Sequence, residues 1–218
     1  MSVKHHLSDD LILAYGTGEL DEATSLLVAT HMALCPTCRT ALEAAETMGG
    51  SFLESLPESS VDKGEFARIL ERIERNDVSS RKVEPAKGSG PFVLPQPLRD
   101  YVGGDVDTIR WGGLGGGVRH LLVPTGSSKA KARLLNIPAG AKVPEHSHGG
   151  LELTLVLSGS FYDDGAWFRR GDVEEADATV EHQPVASPEE PCICLAVTNA
   201  PLRFRSLLPR LAQPFLGI

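Results

Sequence analysis

No stretch of the 218 residues approaches the ~18 consecutive apolar residues that would span a bilayer, so a membrane-spanning helix is excluded. A cationic surplus is missing too. The 21 Lys and Arg are outnumbered by 29 Asp and Glu, for a net charge of −8. That balance opposes direct binding of nucleic acid, whose affinity rests on phosphate contacts. The opening MSVKHHLSDD turns acidic before any apolar core appears, unlike a secretory leader, and the chain is expected in the cytoplasm. No Ser-His-Asp constellation emerges. The glycine cluster at 112–117 lacks the Lys-Ser/Thr of a phosphate loop and reads as a turn. Cysteine is scarce, with four in two close pairs, Cys35/Cys38 and Cys192/Cys194. In a reducing compartment, a Cys-x-x-Cys with histidine nearby points to a metal before a disulfide.

What is present is ordinary globular material, 41% hydrophobic and 23% charged. Its charge is uneven: residues 1–77 hold six Lys and Arg against fourteen Asp and Glu, while 78–218 hold fifteen of each sign. The acidic N-terminal third suits a protein partner with a basic surface.

The pattern up to about residue 77 is helical. Ser8 caps a helix through Leu11, Ile12, Ala14 and Tyr15, stopped by Gly16 and Gly18. Asp21 opens a second, running through Leu26, Leu27 and His31 to about Cys35. Pro36 starts a third, which carries Cys38, Leu42 and Ala45 and ends at Gly49-Gly50. A fourth begins at Asp62, with Glu65 completing a capping-box-like start. Its Phe66, Ile69, Leu70 and Ile73 fall at i, i+3, i+4 and i+7, giving one apolar face. Residues 78–97, rich in Ser, Pro, Gly and Lys and without period, read as a flexible linker. Beyond it, short β-type runs at 120–124, 132–137, 152–157, 166–169 and 192–198, broken by turn residues, predict a sandwich or barrel over 98–218.

Two constellations carry chemistry. In the first, His31 and Cys35 are four apart and share a helix face, while Cys38 returns from the first turn of the next helix. A helix start favours the thiolate that a metal needs. Two thiolates and an imidazole leave tetrahedral zinc one ligand short, which His6 can supply, with His5 as rival. Such a closed site is structural, stapling a domain too small for an adequate core of its own. The second spans residues 140–159. His146 and His148, two apart on a strand, point the same way, and Glu152 keeps that parity into the next strand. Downstream, Gly171-Asp172 reads as a strand-connecting turn leading to His182.

A His followed by three residues, Cys, two residues and Cys, with another His upstream, resembles the zinc anti-sigma domain. The resemblance implies His6, His31, Cys35 and Cys38 as zinc ligands. It also implies helices that embrace an extracytoplasmic-function (ECF) sigma factor and keep it from RNA polymerase. The second segment resembles the cupin family: Gly140, His146, His148, Glu152 and Gly159 match its first motif. Gly171 and His182 match part of its second, where the usual proline, glycine and asparagine are replaced by Asp177, Thr179 and Ala186. His182 is then the fourth ligand.

Both parts occur together in the ChrR-type anti-sigma factors, which HSHGGLELTLVLSGSFYDDG resembles. The expectation is an α + β two-domain chain: a zinc-stapled helical bundle over 1–77 and an all-β cupin (double-stranded β-helix) barrel. The resemblance implies zinc in both sites and an oxidative signal, such as singlet oxygen, acting through the barrel to release sigma. From the residues alone, three His and a Glu also accept manganese, iron or nickel. The rival reading is accordingly a cupin metalloenzyme, a dioxygenase or isomerase. Cys192 and Cys194 share a strand face; as core residues they fill the barrel, as thiols they could sense oxidants. His120 is expected to be structural or exposed, and Trp111 and Trp167 to be packing residues rather than ligand platforms.

Overall fold

The computed structural model describes residues 2–75, 91–126 and 130–204. Five helices lead the chain: α1 (Asp9–Gly16), α2 (Glu22–Met32), α3 (Pro36–Glu54), α4 (Glu65–Glu74) and α5 (Gln96–Val102). Twelve strands follow: β1 (Gly112–Gly115), β2 (Val118–Leu122), β3 (Lys131–Ile137), β4 (His146–His148), β5 (Glu152–Ser158), β6 (Ser160–Asp163), β7 (Ala166–Arg169), β8 (Val173–Ala176), β9 (Glu181–His182), β10 (Val185–Ala186), β11 (Cys192–Thr198) and β12 (Leu202–Phe204). They form one six-stranded sheet, ordered β1-β2-β3-β11-β5-β8, and two three-stranded sheets, β10-β6-β7 and β12-β4-β9. The strand pairings among the described residues are all antiparallel, as short strands joined by tight turns allow.

Local chemistry explains the starts of α2 and α3, whereas Ser8 stands at the N-cap position of α1 without a side-chain cap bond. Asp21 caps α2 by accepting hydrogen bonds from the backbone amides of Ala23 and Thr24, and Pro36 occupies the first turn of α3. Three expectations need correction. First, α3 does not stop at Gly49-Gly50 but runs on to Glu54. Two glycines cost a helix about 1 kcal/mol each, less than breaking it and nucleating another. Second, α4 begins at Glu65, not Asp62. Asp62 accepts the Gly64 amide in a turn, and the Glu65 carboxylate is taken by Arg68 at 2.5 Å rather than reaching back as a capping box. Third, residues 112–115 are a strand, and the turn proper is the left-handed Gly116-Gly117.

Most of residues 78–97 lies outside the described residues, but the last part of that span is ordered structure. Leu94 is fully buried and α5 begins at Gln96. Asp105 accepts the Val93 and Leu94 amides at 2.8 Å each, and Arg170 donates to the carbonyl oxygens of Val93 and Leu157.

The helices and the large sheet share one core. Leu26, Leu27 and Val28 of α2 belong to the same buried cluster as Leu134, Leu155 and Leu195 of the sheet, with Leu94 and Leu98 beside them. The helix α2 packs on β3, β5 and β11 and is buried nearly all round. A smaller apolar cluster, with Ile137, Val156, Phe161, Phe168, Cys192 and Cys194, fills the other side of the β region. By contrast, α4 buries no residue: Phe66, Ile69, Leu70 and Ile73 are 72, 50, 42 and 61% exposed. Met48, Phe52 and Leu53 of α3 are exposed as well.

Candidate metal centres

The first cluster forms where the N-terminal segment, the end of α2 and the start of α3 meet. Cys35 sits at the N-cap of α3 and Cys38 in its first turn, because Pro36 turns the chain there. His31, in the last turn of α2, is fully buried. His6 Nδ1 lies 3.2 Å from Cys35 Sγ and 3.6 Å from Cys38 Sγ, and His31 Nε2 lies 3.2 Å from Cys38 Sγ. The four ligand atoms fall within 4.8 Å of one another. His5, the rival, is not among them; its ring stacks on Phe168.

The His31 tautomer follows from its partner. Nδ1 lies 2.9 Å from the Gly171 carbonyl oxygen, which can only accept, so Nδ1 carries the proton and Nε2 turns a lone pair toward the sulfurs. Burial pushes His31 down to about 4, against the opposing pull of that carbonyl, keeping the ring neutral as a ligand must be. The Cys38 thiol differs from expectation. Burial raises Cys38 to about 11, outweighing a backbone hydrogen bond from Leu7, so a thiolate there requires a cation in the cluster.

The second cluster lies inside the β region. His146 and His148 come from β4, His182 from the neighbouring β9, and Glu152 from the first position of β5. His182 Nε2 is 3.2 Å from His146 Nε2 and 3.1 Å from His148 Nε2, and Glu152 Oε2 is 3.5 Å from His148 Nε2. His146 Nδ1 donates to the Pro144 carbonyl at 2.8 Å, and His182 Nδ1 faces Asp163 Oδ2 at 2.5 Å. With those protons engaged elsewhere, the Nε2 lone pairs converge on one point, which is repulsive unless a cation sits there. Glu152 Oε2 and His148 Nδ1 are buried without a hydrogen-bond partner among the described residues. Burial pushes Glu152 up to about 7 and His146 down to about 4. Three imidazoles and a carboxyl group fit a divalent metal on donor chemistry and convergence alike. A cavity of about 460 Å³ opens onto this cluster, with His146, Glu152, Glu174, Leu135, Phe161 and Cys194 in its wall.

Three residues of these sites escaped the sequence reading. Asp163 and Glu174 stand behind His182, with Glu174 Oε2 3.9 Å from its Nδ1. Glu174 is pushed up to about 9 by burial first and by Asp163 second. The only local signal was acid at strand positions, which turn chemistry explains equally well. Asp172, read as a turn residue, is buried and holds the N-terminal segment. Cys192 and Cys194 are both buried as free thiols in the smaller core cluster. His120 Nδ1 accepts from Arg133 at 3.0 Å, and Trp167 packs edge-on against Tyr162.

Residues 100–201 match the family model of the ChrR cupin-like domain, so the β region is cupin-like. Over the full length of both chains, 218 residues, the protein is 48% identical to anti-sigma-E factor ChrR of Cereibacter sphaeroides. It also superposes on a chain of the crystal structure of Rhodobacter sphaeroides SigE in complex with the anti-sigma ChrR. That match has a TM-score of 0.78 and 44% identity, covering 90% of this chain and 99% of that one. No helix among the described residues is long and apolar enough to cross a membrane.

Proposed function

The chain belongs to the family of the anti-sigma factor ChrR, and on that premise we propose that it binds and sequesters an ECF-type sigma factor. It acts as a regulator rather than an enzyme. The observation that carries the reading is the unburied apolar face of α4 with the exposed apolar end of α3. A helix so patterned is a docking element, read by a partner through anchors at i, i+3, i+4 and i+7. The acidic surplus of residues 1–77 complements the basic surfaces with which sigma factors bind DNA and polymerase. The partner is therefore a protein, with neither nucleic acid nor membrane engaged directly, and the complex forms in the cytoplasm.

The finer assignments belong to the same proposal. Residues 1–77 form the sigma-binding domain and 98–218 the barrel, joined through 78–97. His6, His31, Cys35 and Cys38 hold a structural zinc, since two sulfurs and two imidazoles in a closed, buried set suit tetrahedral zinc. His146, His148, Glu152 and His182 hold a second divalent metal, zinc before manganese or iron. That second cluster reads an oxidative signal of the singlet-oxygen type and weakens the grip on sigma. Moving the complex from mostly bound to mostly free requires a shift of about 5 kcal/mol.

The test is co-expression of the full chain with the ECF sigma factor of its own genome, followed by metal analysis and transcription from that sigma's promoter. A stable complex with about two zinc per chain and a silenced promoter is expected. Unimpeded transcription at equal stoichiometry contradicts the proposal. A His146→Ala, His148→Ala, Glu152→Ala variant that still releases sigma normally under singlet oxygen would remove the barrel as the sensor.

A further inference from the structure

The turn entering β8 reaches out of the barrel and touches the N-terminal cluster from two sides. The Gly171 carbonyl accepts the Nδ1–H of His31, fixing both the tautomer and the ring plane of that ligand. Asp172, 2% exposed, accepts the backbone amides of Lys4 at 2.6 Å and His5 at 3.0 Å through Oδ1, and that of Arg169 at 2.8 Å through Oδ2. The Val173 amide then donates to the His5 carbonyl at 3.1 Å. These bonds pin the segment that ends in His6, the other imidazole of the cluster. Gly171 has φ +93°, and a Cβ there would sit 2.7 Å from Val3 Cγ2, so the close approach demands glycine.

The turn is equally tied to the barrel's cluster. Gly171 and Asp172 exchange backbone hydrogen bonds with Val156 of β5, the strand that begins at Glu152. Two residues past Asp172, Glu174 stands opposite Thr154 and beside His182 and Asp163. One short strand thus carries a wall of one cluster and the outer support of the other.

We propose that the Gly171–Asp172–Val173 turn is the positioning element of the N-terminal metal cluster. The barrel, through β8, thereby sets how tightly the sigma-binding helices hold their metal. The proposal rests on the reading that both clusters bind metal. It gives the two parts of the chain a physical connection in addition to the covalent one. Supports of this kind, one bond removed from the metal, change its affinity by about 10–100-fold when lost.

The experiment loads the full chain with cobalt(II) and challenges it with EDTA. Thiolate-to-cobalt absorption follows the N-terminal cluster alone, because the barrel set has no sulfur, while total cobalt follows both. Asp172→Ala should accelerate loss of the thiolate band by about 10–100-fold and leave barrel release unchanged. Asp172→Asn, which keeps one acceptor oxygen, should fall between. Disabling the barrel by His146→Ala with His148→Ala should accelerate loss of the band by about 5-fold or more. An unchanged band lifetime in Asp172→Ala, or equal acceleration at both clusters, overturns the positioning role. An unchanged lifetime in the barrel variant overturns the connection. If wild type shows no thiolate band, or Cys35→Ser with Cys38→Ser keeps it, the metal reading itself fails, which is a different outcome.

Discussion

Helices α2 and α4 are of nearly equal length, and both carry Leu and other large apolar residues, yet one is buried almost entirely and the other not at all. The residues of α2 bury on nearly every side, Thr24, Thr30 and His31 along with the apolar ones, and the chain supplies that interior with sheet on one side and α1, α3 and α5 on others. The sequence of α4 has one apolar face and one charged face, the signature of a helix that lies on something, and nothing among the described residues covers it. Burial of apolar surface is the main driving force of folding and of association alike. The difference therefore separates the helix that builds the molecule from the helix that meets its partner.

The contrast is broken most directly by truncating each helix. Leu27→Ala in α2 should cost about 2–5 kcal/mol of stability, read from urea unfolding, because Leu27 is fully buried and the shared core cannot collapse around the cavity. A change below ~1 kcal/mol would mean that α2 is not part of the core.

Next in size is the pH response of the buried histidine of α2. His31 has its folded value lowered to about 4, against an ordinary 6.5, so between those limits the unfolded chain binds the extra proton. Metal-free protein should keep this contribution above pH 6.5 and lose about 3 kcal/mol of it as pH falls to 4. The comparison is wild type against His31→Gln by unfolding at pH 7, 5.5 and 4. Parallel curves for the two proteins would show that His31 is not held neutral by burial.

On α4 the expectation is reversed. Phe66→Ser with Ile69→Ser should leave stability within about 0.5 kcal/mol, since both side chains are already exposed. The same pair should weaken sigma binding by about 2 kcal/mol or more in titration calorimetry. Loss of stability without loss of binding would invert the roles assigned to the two helices. The smallest effect concerns the helix starts. Asp21→Ala should cost about 1 kcal/mol because it removes both cap bonds of α2. Gly64→Ala should not weaken α4 through a cap, having no side-chain bond to remove.

How much of this was legible in the chain depends on the sequence distance over which each feature is built. His31, Cys35 and Cys38 lie within eight residues, and one helix end fixes their geometry, so spacing alone points to them. His146, His148 and Glu152 were legible for the same reason, from strand parity across one turn. His6 and His182 needed a family pattern, because nothing local ties them to the rest. The supports were hidden altogether. Asp172 meets Lys4 and His5 across 168 and 167 positions, and Asp163 meets His182 across a hairpin and two strands. Docking of α2 on the sheet was equally silent, since an apolar helix does not say which surface it will cover. Gly49-Gly50 misled because local propensity is a weak force beside the cooperativity of a helix already formed.

The central claim, that α4 is the uncovered half of an interface, is tested most directly by hydrogen exchange on the full chain, alone and with its ECF sigma factor. The account predicts rapid exchange across residues 65–74 in the free protein and strong protection in the complex, with β3, β5 and β11 slow in both. Binding of sigma that leaves residues 65–74 exchanging at their free rate would contradict it.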